Sequence, residues 1–136
     1  MRNVQVIILT LMVLVIAPAG KCKKGSTPPP PEANLQVNLD PPVNSTQAPA
    51  VGPNFPLTVT ITSTLPPQGV TIEVSAKVDG ATGSPFFSIN QSSTSSINNF
   101  SITNTPQTVT CVTTVTVTSK TNSGNKWTGT YRYSRK

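Results

Sequence analysis

Apolar and polar residues alternate along much of the chain after residue 55, which is the pattern of β-strands with one buried face. The clearest alternation runs from Leu57 to Leu65 and from Val70 to Asp79, and Pro66 to Gly69 separates these stretches as a turn. Beyond the first 21 residues, no window of twelve supports a helical stripe. The pattern predicts seven strands, at 35–39, 57–65, 70–79, 86–90, 98–103, 108–119 and 127–133.

The first 21 residues differ from the rest of the chain. One positive charge at Arg2 precedes an apolar run that extends from Val4 to Ala17 and ends at Pro18. A membrane-spanning helix needs about 20 apolar residues, so we interpret residues 1–21 as an export signal rather than a permanent anchor. The small-x-small pattern at 17–19 would allow cleavage that releases a soluble secreted protein beginning at Gly20.

A second processing scheme depends on Cys22. The segment from Ala19 to Gly25, followed by Ser26, Thr27 and four prolines, resembles the start of bacterial lipoproteins. The resemblance implies lipidation of Cys22 with palmitate-type chains and anchoring at the bacterial cell envelope, facing the periplasm or the cell surface. Acyl chains contribute about 0.8 kcal/mol per buried CH₂, and basic residues such as Lys23 and Lys24 add attraction to anionic head groups.

A proline-rich stretch follows Cys22 and precedes the predicted domain. The chain has 14 prolines, four of them consecutive at 28–31. Polyproline is a semi-rigid spacer of about 3.1 Å per residue. We therefore expect a tethering linker at 22–32, which holds one domain at 33–136 clear of the membrane.

Seven short strands over about a hundred residues, with turns between them, resemble an immunoglobulin-like or fibronectin-like module. The resemblance implies an all-β fold with a single antiparallel β-sandwich. The marks of antibody domains are missing, since the strand at 70–78 has no Trp and the strand with Leu57 has no Cys. Fold alone implies no function.

Composition narrows the chemistry that the protein can perform. The chain has no His, four carboxylates and a formal net charge of +6. Without His, imidazole bases, His metal ligands and Ser-His or Cys-His nucleophiles are excluded. We expect no catalytic residues, no metal and no cofactor. Nucleic acid is not an expected partner, because the basic residues form no dense patch with interleaved exposed aromatics.

The candidate ligand contacts are three aromatic residues that share one face of the last strand, Trp127, Tyr131 and Tyr133. Such a row can stack on sugar rings, as in carbohydrate-binding modules. The alternative is that this face closes the core, because the chain has few large side chains to fill it. Cys111 also lies on an apolar face, either as a buried thiol or as the disulfide partner of Cys22.

Two functions follow from these features. The first is a non-enzymatic envelope lipoprotein, held at the membrane by Cys22, that presents its module to a protein or glycan ligand or for structural assembly. The second is a secreted carbohydrate-binding accessory module that uses Trp127, Tyr131 and Tyr133.

Overall fold

The computed structural model describes Gly25, Pro28 and residues 30–136, so the leader and Cys22 lie outside the described residues. The described part of the chain contains seven strands and no helix. No helix there is long and apolar enough to cross a membrane. The strands are β1 (Val37–Asp40), β2 (Phe55–Ile61), β3 (Val70–Val78), β4 (Phe87–Ser93), β5 (Ile97–Ile102), β6 (Thr110–Ser119) and β7 (Lys126–Ser134).

The seven strands form two antiparallel sheets that pack together, which confirms the predicted single β-sandwich. One sheet has the order β1-β2-β5 and the other β4-β3-β6-β7. In a constant-type immunoglobulin domain the fourth strand joins the sheet of the first, second and fifth. Here β4 pairs with β3 instead, so three strands face four.

The strand ends differ from the sequence prediction where turn chemistry or pairing intervenes. β2 ends at Ile61 instead of Leu65, because its pairing with β1 and β5 ends there, and the chain then turns at residues 66–69. The turn closes at Gly69, whose φ of 78° suits a residue without a side chain. Conversely, β4 continues beyond Asn90 to Ser93, because β3 supplies backbone partners for these polar residues.

The core lies between the two sheets and is built from the alternate residues that the sequence pattern predicted. Each fully buried large apolar side chain contributes about 1.5–3 kcal/mol relative to an exposed one. Two threonines, Thr105 and Thr113, are buried with the apolar residues. The core residues include Leu57, Val59, Ile61, Val70, Ile72, Val74, Phe100, Ile102, Cys111, Val115, Val117, Tyr131 and Tyr133.

One lateral side of the sandwich is covered by backbone. Residues 44–50 run parallel to β7, where the N–H of Gln47 donates to the carbonyl of Arg132 at 2.8 Å and the N–H of Ala50 to the carbonyl of Ser134 at 3.1 Å. This segment therefore shields the edge of β7. The other lateral side carries β4 and β5, one at the edge of each sheet, joined by the short turn 94–96.

Candidate functional site

The two ends of the sandwich differ in what they carry. Antiparallel pairing places the start of β1 beside the end of β2, and the β6–β7 turn lies at the same end. The C terminus, residues 51–54 and the β5–β6 connection lie at the opposite end. β6, with ten residues, sets the distance between the ends at about 30 Å.

Where the chain enters the sandwich, Glu32 and Asn125 form a hydrogen-bonded clamp that holds it to the β6–β7 turn. A carboxylate oxygen of Glu32 accepts a hydrogen bond from the Ser119 hydroxyl at 3.0 Å, and the other accepts from the Asn125 amide. The Asn125 side chain also donates to the Ala33 carbonyl at 2.8 Å and accepts from the Leu35 N–H at 2.9 Å. The compact unit begins at Pro31, so Glu32, expected in the linker, is bound to the domain.

A small apolar cleft of about 180 Å³ opens on the side of the sandwich that residues 41–50 cover. The sequence predicted no strand in this segment of the domain, because Pro41, Pro42 and Pro49 interrupt any alternation. Only the tertiary structure brings it against β2 and β7. The cleft is lined by Pro41, Gln47, Ala48, Ala50, Phe55, Pro56, Tyr131 and Tyr133.

Tyr133 is fixed by packing and by a hydrogen bond. Its ring centroid lies 4.7 Å from that of Phe55 and 5.9 Å from that of Tyr131, in tilted arrangements that suit aromatic pairs. Its hydroxyl and that of Thr105 are 3.0 Å apart. Only 2% of the side chain is exposed, and burial raises the pKa of Tyr133 to about 12.

Tyr131 is equally buried, but its hydroxyl is not satisfied. It lies opposite Thr113 in the β6–β7 register, and neither hydroxyl makes a hydrogen bond of normal geometry among the described residues. The Thr113 hydroxyl nevertheless lies close enough to both tyrosine hydroxyls to offset part of the rise that burial causes in their pKa. Burial raises the pKa of Tyr131 to about 12. An unpaired buried polar group costs about 1–3 kcal/mol, so both hydroxyls are weak points of the core.

Trp127, the third member of the aromatic row, is half-buried and packs against the core near the β6–β7 turn. Its indole lies over Gly129, at the place where a β-carbon would stand. The row therefore shares one face, as the alternation predicted. The two tyrosines present almost no surface to solvent, an arrangement that favours the core interpretation over a sugar-stacking platform.

The basic residues near the C terminus are partly engaged. Arg132 Nε donates to a carboxylate oxygen of Asp79 at 2.7 Å, and this hydrogen bond holds the pKa of Asp79 below its ordinary value of 3.8. Arg135 donates to the Thr105 carbonyl at 3.1 Å. Arg135 and Lys136 also line a second, shallower cleft of about 280 Å³ beside Thr108.

Cys111 is completely buried and forms no disulfide within the described part of the chain. Burial raises the pKa of its thiol, which lowers the fraction of reactive thiolate. Because Cys22 lies outside the described residues, lipidation of Cys22 and its pairing with Cys111 both stay predictions.

The described residues hold no group of three or more His, Cys, Asp or Glu side chains that could bind a metal ion. In comparisons with known proteins, the chain matches no protein-family model and no curated protein. Its function is therefore inferred from its own residues and their geometry.

Proposed function

We propose that this protein is a non-enzymatic lipoprotein of a bacterial cell envelope, anchored through acylated Cys22, that presents its β-sandwich for binding or structural assembly. The observation that carries the proposal is the placement of the clamp and the apolar cleft. Glu32 ties the incoming chain to the β6–β7 turn. The cleft lies toward the other end of the sandwich, beside residues 41–56.

This placement suits a domain that is tethered at its N terminus. A ligand surface is useful on an anchored module only where the membrane does not cover it. The clamp holds the chain at the β6–β7 turn from Glu32 onward. The cleft is therefore separated, within the domain, from the point where the chain enters.

The chemistry of the chain also supports a binding role. It has no His, which removes the commonest general acid-base group. The cleft walls are mostly Pro, Ala and aromatic residues, and a mostly apolar wall with few polar groups is typical of ligand sites. We propose a protein or glycan ligand of low charge, because Gln47 and the two tyrosines are the only polar side chains that line it.

Intact mass measurement on protein from its native host tests the anchoring. The wild-type protein is expected in the membrane fraction, with the mass of residues 22–136 plus a diacylglyceryl group. Cys22→Ser removes the acceptor thiol and is expected to leave the membrane fraction or to accumulate with residues 1–21 attached. Cys111→Ala is the matched control, because it removes a buried thiol and leaves the anchor.

A mature mass that starts at Gly20 without lipid would overturn the anchoring and make the protein a secreted module. Membrane association of wild type and Cys22→Ser alike, with residues 1–21 retained, would instead show that the leader itself is the anchor.

The carbohydrate-binding alternative receives no specific support from the geometry. Tyr131 and Tyr133 are each 2% exposed, whereas stacking on a sugar needs an open ring face. Unchanged Trp127 fluorescence across a panel of glycans would count against this alternative directly.

A further inference from the structure

The side of the sandwich opposite the covered edge of β7 has an open backbone edge. β4 pairs with β3 along one side, and the backbone groups on its other side bond to no strand or loop in the described part of the chain. β4 has seven residues, and only two of its side chains, Phe87 and Ile89, are apolar; both are half-buried. Unpaired N–H and C=O groups on a strand of this length are a template for another strand.

This edge lacks the features that normally prevent such pairing. No charged residue occurs between Asp79 and Lys120, and β4 contains no proline. By contrast, the segment 44–50 covers the edge of β7, which also carries Lys126 and Arg132. Proteins usually protect open edges with charges, prolines or covering segments. The contrast within one domain indicates that the β4 edge is kept free for a partner.

The sequence of β4 fits a second copy of itself in antiparallel pairing about Asn90. In that register Phe87 faces Ser93 of the other copy, and Ile89 faces Gln91, so no charged side chains meet. On the outer face Ser88 faces Ser92, and both are exposed. Like charges directly opposite each other destabilise strand pairing, and this register contains none.

Electrostatics also permit this pairing. The nearest carboxylate, that of Glu73, lies on β3 opposite Asn90. Glu73 of one copy would be three strand spacings from Glu73 of the other, about 14 Å. This exceeds the screening length of about 8 Å at physiological ionic strength, so repulsion between the copies is small.

We infer that this protein associates with a second copy of itself through antiparallel β4–β4 pairing, which joins the two four-stranded sheets into one continuous sheet. The arrangement is a two-fold symmetric contact and closes as a dimer. It uses a surface that the cleft does not use.

Disulfide cross-linking of the full-length protein, as the host processes it, tests the register. Facing residues of antiparallel strands have Cα atoms about 4.5–5.5 Å apart, which a disulfide can span. Asn90→Cys is therefore expected to give a cross-linked homodimer on mild oxidation. Asn38→Cys, an exposed position on β1, is the matched control and should give about tenfold less, at the level of the wild type with its own two cysteines.

A homodimer yield for Asn90→Cys that does not exceed the Asn38→Cys level would overturn the inference. A cross-link from position 90 to a different protein would also overturn it, because the edge would then serve another partner.

A charge variant tests the energetics independently. Ser88→Lys combined with Ser92→Lys places lysines directly opposite each other twice in the dimer, and like charges in such positions disfavour pairing. Sedimentation velocity in detergent should show the dimer dissociation constant raised by about tenfold or more. Asn38→Lys with Ser123→Lys adds the same charge at exposed positions elsewhere and should leave the constant unchanged. Equal effects of the two variants would refute β4 pairing.

Discussion

The same substitution at two buried threonines should change stability in opposite directions. Thr105 and Thr113 are 1% and 0% exposed. The Thr105 hydroxyl pairs with that of Tyr133 at 3.0 Å, whereas the Thr113 hydroxyl has no partner among the described residues. Valine replaces the hydroxyl by a methyl group and keeps the β-branched shape. Thr113→Val should therefore stabilise the fold, and Thr105→Val should destabilise it.

The magnitudes follow from the cost of an unpaired buried polar group, about 1–3 kcal/mol. Thr113→Val removes one such group, so we expect a gain of about 1 kcal/mol. Thr105→Val creates one, because the Tyr133 hydroxyl loses its partner, and the expected loss is about 1–3 kcal/mol. For a domain of about 100 residues, 1 kcal/mol corresponds to about 4 °C in Tm.

Urea unfolding followed by Trp127 fluorescence measures both variants, because the chain has a single Trp. The midpoint should rise for Thr113→Val and fall for Thr105→Val, with an unchanged m-value if the native and unfolded states keep their compactness. Tyr131→Phe and Tyr133→Phe form a parallel pair. The first removes an unpaired hydroxyl and should be neutral or stabilising, and the second should destabilise by breaking the bond to Thr105.

An unpaired Thr113 hydroxyl would be refuted if Thr113→Val destabilised the protein as much as Thr105→Val. In that case the Thr113 hydroxyl must have a partner in solution, such as a buried water bonded to both it and Tyr131. An insensitive Tyr131→Phe combined with a destabilising Thr113→Val would place that partner on Thr113 alone.

Three further predictions follow from the core and the surface. The only two tyrosines of the chain should stay protonated in the folded state until the pH approaches about 12. Their raised pKa stabilises the fold below pH 10, and this stabilisation is lost as the pH rises from about 10 to 12. Tyrosinate absorbance that appears near pH 10 while the protein is still folded would contradict their burial. Gly129→Ala should displace the Trp127 indole, shift its fluorescence emission and destabilise the fold by about 1–3 kcal/mol. Gly83→Ala adds its methyl group in open space and should leave the emission unchanged. An NMR titration of Asp79 should have its midpoint below 3.8, and the midpoint should return toward that value in Arg132→Ala. Because the folded pKa is depressed, the ion pair stabilises the fold above the unfolded pKa, and this stabilisation is lost as the pH falls through the folded pKa. A midpoint that Arg132→Ala leaves unchanged would argue against the pair in solution.

Local pattern was sufficient to predict most strands. Val70 to Val78 and Thr110 to Ser119 bury every second residue, so the period of two predicts both the strand and its buried face. The same parity placed Tyr131 and Tyr133 together on the core-facing side of β7. It worked because one face of each strand meets the other sheet, and that burial selects apolar residues at alternate positions.

Pairing between distant segments could not be predicted in this way. Gln91 to Ser93 show no alternation, yet they belong to β4 because β3 provides backbone partners. Residues 44–50 show no alternation and were not predicted to pair with a strand, yet they cover β7. Backbone hydrogen bonds are available to every residue except proline, so they leave little trace in side-chain type.

The sequence by itself therefore determined the all-β class, the number of strands and the core-facing side of the four strands that alternate clearly, at 57–65, 70–79, 108–119 and 127–133. Tertiary structure alone decided which edge is covered and which is open, that Glu32 is bound to the β6–β7 turn, that a cleft forms beside Phe55, and that the Thr113 hydroxyl lacks a partner. The physical reason is the distance along the chain over which each effect acts. Burial acts on each residue according to its own polarity, whereas edges, clefts and unpaired hydroxyls depend on which distant segment lies alongside.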